Sequence, residues 1–183
     1  DTIEGNVAQM VALAGDSVFG GNGVARKGNV TVDLVTAASV AADSVQAVNA
    51  LYQGLVRVDD AATVVGSMQA LLAVSGDTVG GADSDGVDLR DDVVFELDDA
   101  VSGAVSVQAH ELLLLNDRTT GVVDATAADT LVGLLSQVQA VVVASDSEGE
   151  LEIAIDAGHV SVVVTDTGSL RADSLNALDA YFG

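Results

Sequence analysis

The sequence predicts an α/β repeat protein, and three observations carry that expectation. Apolar runs of β-type residues recur at Val30-Thr-Val-Asp-Leu34, Val93-Val-Phe-Glu-Leu97 and Val160-Ser-Val-Val-Val164, at steps of 93 − 30 = 63 and 160 − 93 = 67 residues. Ser44-Val-Gln-Ala47 returns as Ser106-Val-Gln-Ala109 and, more loosely, as Ser174-Leu-Asn-Ala177. Asp129-Thr-Leu-Val-Gly133 has counterparts in Asp1-Thr-Ile-Glu-Gly5 and Ala62-Thr-Val-Val-Gly66. The period exceeds the roughly 20–50 residues of common solenoids and so suggests two structural coils per repeat. Strands alternating with helices imply parallel pairing through crossovers. The expected architecture is a repetitive β/α solenoid with a parallel sheet backed by helices. A compact doubly wound α/β domain is the alternative. Residues 1–183 are expected to form one repeat-built domain, with repeats near 1–61, 62–128 and 129–183.

In chain order, Thr2 to Ala14 carries Ile3, Val7, Met10, Val11 and Ala14 on one helical stripe, with Asp1 as N-cap and Gly15 as stop. Val18 to Gly23 reads as a short strand entering a glycine turn, and Arg26-Lys27 beyond it is the one basic pair. Such a pair belongs to a solvated loop, or else to a contact with an acidic neighbouring subunit. Val30 to Val35 reads as a strand and Ser39 to Gln53 as a helix with Val45, Val48, Leu51 and Tyr52 inward. Leu55 to Val58 reads as a strand, and Ala61 to Val74 as a helix on Val64, Val65, Met68, Leu71 and Leu72. Ser75 to Asp92, rich in Gly and Asp, is a long connection. The central copy repeats strand, helix, strand and helix, with Gly121 to Asp124 as its second strand. Glu150 to Asp156 alternates with period two, as a strand does. The last copy supplies a strand at Val160 to Thr165 and a helix at Ala172 to Tyr181. The chain opens at the point matching Asp129 and closes at the point before Gly121, which suggests a segment of a repeat array or a processed product of one.

Composition bounds the function. Hydrophobic residues make up 49 % of the 183, enough for a sizeable core of Val, Ala and Leu. A net charge of −22, from 28 acidic against 6 basic residues, argues against nucleic acid or anionic membranes as partners. It suits a salty or calcium-rich setting in which cations screen self-repulsion. No apolar run approaches the length that spans a bilayer, so no membrane insertion is expected. There is no cysteine to form a disulfide, and no proline to interrupt continued stacking.

Asp173-Ser-Leu-Asn-Ala-Leu-Asp-Ala180 and Thr119-Thr-Gly-Val-Val-Asp-Ala-Thr126 resemble the repeats of very large secreted bacterial surface proteins, common in marine cyanobacteria. Those proteins often carry calcium-binding glycine-rich nonapeptides and leave the cell by type I secretion. The resemblance covers residues 30–183 and scaffold positions only. It implies an extracellular or cell-surface structural role and no catalytic residues.

The acidic connection is the candidate metal site. In Gly80-Gly-Ala-Asp-Ser-Asp-Gly-Val-Asp88, Asp83, Asp85 and Gly86 take the third, fifth and sixth places of an EF-hand-type loop, and Asp92 the twelfth. Gly81 stands where the first acidic ligand belongs. Asp83, Asp85, Asp88 and Asp92 are the candidate ligands, and calcium the ion that hard oxygen donors suit. Asp146, Glu148, Glu150 and Glu152 form a second acidic cluster, and Gly20-Gly-Asn-Gly23 offers nonapeptide-like glycines without an acidic ligand following. His110-Glu111 does not continue to a second histidine four residues on, and no nucleophile elbow or phosphate-cradling loop occurs. The expectation is a non-enzymatic module that associates with itself, end to end, into a filament, sheath or surface layer by strand addition. The alternative is a calcium-dependent adhesin.

Overall fold

The computed structural model describes residues 2–15, 30–36, 38–52, 54–76, 86–98, 105–146 and 152–183. In chain order these form β1 (Thr2–Gly5), α1 (Val7–Gly15), β2 (Thr31–Leu34), β3 (Ser39–Ala41), α2 (Ala42–Leu51), β4 (Leu55–Val58) and β5 (Thr63–Gly66). Then come α3 (Met68–Ser75), β6 (Gly86–Leu89), β7 (Val94–Leu97), β8 (Ser106–Gln108), α4 (Ala109–Asn116) and β9 (Val123–Asp124). The last are β10 (Thr130–Gly133), α5 (Leu135–Ser145), β11 (Ile153–Ala154), β12 (Ser161–Val164) and α6 (Ala172–Phe182).

The chain is α/β, and its described residues form three parallel sheets backed by six helices. The first sheet runs β1-β2-β4-β6, the second β11-β9-β7-β5-β3, and the third β12-β10-β8. Every described pairing is parallel. Each sheet follows chain order from one edge to the other, without the reversal that marks a switch point in a doubly wound sheet. The helices pack on their sequence neighbours from α1 on α2 through to α5 on α6.

The recurrent strand–helix unit comes from its residues. Thr63-Val-Val-Gly66 and Thr130-Leu-Val-Gly133 put a β-branched, alternating run before a glycine, so the strand ends where a helix can begin. The same residues satisfy helical spacing, and for that reason the expected helices at Thr2, Ser39 and Ala61 start too early. Each first turn is a strand instead: β1, β3 and β5. The true start of α1 is signed by Asn6 and Gln9. The Asn6 Oδ1 accepts the Gln9 N–H at 3.0 Å, and the Gln9 Oε1 accepts the Asn6 N–H at 2.9 Å. Ser67 caps α3 likewise, its Oγ accepting the Ala70 N–H. The strands expected at Val30, Leu55 and Val160 stand. The strand expected over Glu150 to Asp156 is described only as β11. The expected strand at Val18 to Gly23 and the Arg26-Lys27 pair lie outside the described residues.

One apolar cluster runs from Met10 to Leu178. Its strand members, Val32, Val56, Val64, Phe95, Val123, Leu131 and Ile153, are almost wholly enclosed, as are Val45, Val48, Leu112, Leu115, Val138 and Val141 on the helices. Burying one such side chain stabilises by about 1.5–3 kcal/mol. Gly66 and Gly133 let the layers close: a Cβ there would meet the Cβ of Ala42 at 3.0 Å and of Ala109 at 2.9 Å. The repeat is exact in the strands, since Ser39 and Ser106, Thr63 and Thr130, and Val94 and Ser161 all pair in equivalent registers 67 residues apart (106 − 39, 130 − 63 and 161 − 94).

Candidate self-association surfaces

The two ends of the stack break this regularity. At the C-terminal end, β12 pairs with β10 alone among the described residues, and its equivalent β7 is flanked by both β5 and β9. Val93, Phe95 and Leu97 are therefore enclosed. Around the matching Val160, Val162 and Val164 lies a groove of about 460 Å³, also lined by Leu175, Leu178 and Phe182. Val163 is 48 % and Leu175 39 % exposed, and α6 buries only Leu178. The equivalent face of α2 buries Ala42, Val45 and Val48. Tyr52 shows what enclosure does at the position of Phe182: its hydroxyl donates to the Met10 carbonyl at 2.8 Å, and burial raises its pKa.

At the N-terminal end, β1 pairs with β2 alone among the described residues. Sheet pairing aligns Glu4, Asp33, Arg57 and Asp88 in one row across the first sheet. Two carboxylates thus stand side by side at the open edge, a destabilising neighbourhood. Arg57 lies 3.7 Å from the Asp88 carboxylate, away from Glu4. Val11 on α1 is 43 % exposed. An edge strand of this kind presents unpaired backbone N–H and C=O groups.

The expected metal ligands are distributed differently. Asp83 and Asp85 lie outside the described residues. Asp88 sits on β6 beside Arg57, and burial, with Asp59 adding, raises its pKa. The carboxylate of Asp92 is held by Arg90, whose Nη2 donates to Oδ2 at 2.7 Å, and this hydrogen bond lowers its pKa. Both carboxylates therefore face arginines, and no group of three or more metal-ligating side chains occurs among the described residues. In the second acidic cluster, Glu152 accepts a hydrogen bond from Asn116 at 3.2 Å. Asp146 follows α5 as its C-cap, while Glu148 and Glu150 fall outside the described residues. His110 is exposed on α4, and His159 meets Asp156 at 2.7 Å on the surface.

A second hollow of about 380 Å³, lined by residues including Ser75, Asp91, Arg118 and Thr119, lies between neighbouring strand–helix units. Arg118 donates from Nη1 to the Leu72 carbonyl at 2.9 Å and the Ser75 Oγ at 3.0 Å. Thr119 donates to the Val93 carbonyl at 2.6 Å. These polar groups are committed to packing between neighbouring coils. No described helix is long and apolar enough to cross a membrane. Sequence reasoning pointed to a missing strand beside the last copy, equivalent to residues 121–126, which is the open edge of β12; it missed the open edge of β1, although the strand repeat that marks it was visible. Comparison of the chain with family models, with curated proteins and with solved structures finds no match.

Proposed function

We propose that the chain is a non-enzymatic structural module, a β/α solenoid segment that associates end to end into a filament, sheath or surface layer. The observation that carries this reading is the run of parallel sheets whose strands follow chain order, with β1 and β12, the first and last described strands, each at a sheet edge. A stack that grows one strand per coil has no built-in stop, and the ends lack the proline that would blunt an edge. Exposed Val163 and Leu175 at one end and Val11 at the other give apolar surface to bury. The acidic surface, with 28 Asp and Glu against 6 Lys and Arg, keeps lateral faces apart and directs contact to the ends. An extracellular or cell-surface setting fits this charge, and the likeness to repeats of secreted bacterial surface proteins supports the same placement.

Sedimentation velocity across a hundredfold range of protein concentration tests the reading. Growth of the mean mass with concentration, without a fixed end point, is the expected outcome. A single monomeric species at every concentration and at both low and high salt would overturn it.

A further inference from the structure

The first and second sheets differ by one strand, and the difference names the joint. Aligned by the repeat, β1, β2, β4 and β6 of the first sheet correspond to β5, β7, β9 and β11 of the second. The second sheet has one strand more, β3, beside β5. In the third sheet β8 occupies the same place beside β10. Among the described residues the first sheet shows no strand at that place.

The chain carries a third copy of it. Ser169-Leu-Arg-Ala-Asp-Ser-Leu-Asn-Ala-Leu178 matches Ser39-Val-Ala-Ala-Asp-Ser-Val-Gln-Ala-Val48, which forms β3 and the start of α2. The backbone matches as well. Ala41 before α2 has φ −76° and ψ 131°, Gln108 before α4 has −88° and 129°, and Arg171 before α6 has −81° and 130°. Arg171 is therefore extended as Ala41 and Gln108 are, yet Ser169 to Arg171 pair with no strand among the described residues.

We propose that β1 of a second copy pairs in parallel with Ser169–Arg171, placing Thr2 opposite Ser169, Ile3 opposite Leu170 and Glu4 opposite Arg171. This rests on the end-to-end reading and fixes its partner and register. The register is that of β5 on β3 and β10 on β8, where Thr63 meets Ser39 and Thr130 meets Ser106. In those internal joints the Thr63 N–H donates to the Ala38 carbonyl at 3.0 Å, and the Thr130 N–H to the Val105 carbonyl at 3.1 Å. Gly168 holds the corresponding carbonyl, with open space around it.

Two further fits are independent of the backbone. Gly66 closes on Ala42 and Gly133 on Ala109, both alanines being fully buried. Gly5 ends β1 at the same place, where the Met10 Cε, 2.7 Å from the position of a Cβ, occupies the slot that Ala42 and Ala109 fill internally, and Ala172, the counterpart of those alanines, is exposed. The joint brings Gly5 onto Ala172. Charge is the second fit. Arg171 is one of only six basic residues, its side chain is 83 % exposed, and its nearest carboxylate, on Asp173, is 3.8 Å away. Set beside Glu4, it supplies a cation to the end of the row where Glu4 and Asp33 stand together. The internal joints have Ala41 with Val65 and Gln108 with Val132 at this place, so the charge pair is specific to the ends. Because the two patches differ, the contact is heterologous and propagates instead of closing as a two-fold dimer.

Charge reversal tests the register. Glu4→Arg, Arg171→Glu and the double variant are compared with the unaltered protein by sedimentation at about 0.15 M salt. Each single reversal sets like charges opposite one another and is expected to weaken association by about tenfold or more; the double variant restores the pair and recovers most of that loss. Single variants that associate as strongly as the unaltered protein would overturn the register and leave end-to-end association standing. A double variant no stronger than the singles would also overturn it. An unaltered protein that never associates would overturn both readings. All three variants change exposed side chains, and circular dichroism checks that each is folded.

Discussion

Gly121→Ala is the substitution whose cost follows most directly from the geometry. Gly121 lies where the chain leaves α4 and begins the next coil. A Cβ there would sit 2.5 Å from the Val93 carbonyl oxygen and 2.6 Å from that of Asp92. Ordinary contact begins near 3.4 Å, so backbone must move by about 1 Å. The groups in the way are fixed by hydrogen bonds. The Val93 carbonyl accepts from the Thr119 hydroxyl at 2.6 Å, the Thr120 N–H donates to the Asp91 carbonyl at 2.7 Å, and the Gly121 N–H donates to the Thr119 Oγ1 at 2.9 Å. Overpacking of this kind costs about 1–3 kcal/mol, and one weakened hydrogen bond adds about 1 kcal/mol. Lower unfolded-state entropy returns about 0.4–1 kcal/mol, leaving about 1–3.5 kcal/mol of destabilisation. Urea unfolding followed by circular dichroism measures it, with Gly168→Ala as control. A Cβ at Gly168 meets nothing within 4 Å, so that variant should stay within about 0.5 kcal/mol of the unaltered protein. Equal midpoints for Gly121→Ala and Gly168→Ala would refute the close approach between coils.

Other outcomes follow from the same coordinates. Tyr52→Phe removes the buried hydrogen bond to the Met10 carbonyl and should cost about 1 kcal/mol in urea unfolding, whereas Phe182→Ala, in the open groove, should cost less than the 3–5 kcal/mol of a buried Phe. A peptide with the sequence of residues 54–61 should bind beside β12, as β4 lies beside β2, and slow hydrogen exchange of the β12 amides. Exchange unchanged by excess peptide would count against the open edge. The raised pKa of Asp88 sets a sign for pH. Its ionisation is harder in the folded chain, so this group's stabilising contribution is present below the ordinary carboxylate range and is lost as pH rises through the folded value. Asp88→Asn should therefore remove this group's decline of the urea midpoint as pH rises above the ordinary carboxylate range.

The α/β class and the parallel pairing were legible because the apolar runs at Val30, Val93 and Val160 recur with turn residues between them. Strand beginnings inside the predicted helices were not. Ile3, Val64 and Leu131 fit a helical stripe and a strand face equally well, and only the glycine that follows, with the cap at Asn6 or Ser67, separates the two. A single sheet was the simplest reading of one strand family, but the chain distributes its strands over three sheets. That distribution depends on which strand crosses to which layer, and residue periodicity does not carry it. The ligand reading of Asp88 and Asp92 came from spacing alone. Spacing is blind to Arg57, which reaches Asp88 from β4, and it gave no weight to Arg90, two residues from Asp92. The equivalence of Ser174-Leu-Asn-Ala177 with Ser44-Val-Gln-Ala47 was visible from the start. Its consequence, an extended segment without a partner, needed the sheets.

Cysteine cross-linking tests the central claim most directly, because the chain contains no cysteine of its own. One preparation carries Thr2→Cys and another Ser169→Cys, and the two are mixed under mild oxidation. Opposed strands bring paired Cα atoms about 4.8 Å apart, inside the range a disulfide spans. Covalent dimers joining position 2 to position 169 are expected in the mixture, and far fewer in either preparation alone. Cross-linking of each preparation with itself at the same rate, or none in the mixture at concentrations where the protein sediments as an assembly, would contradict it.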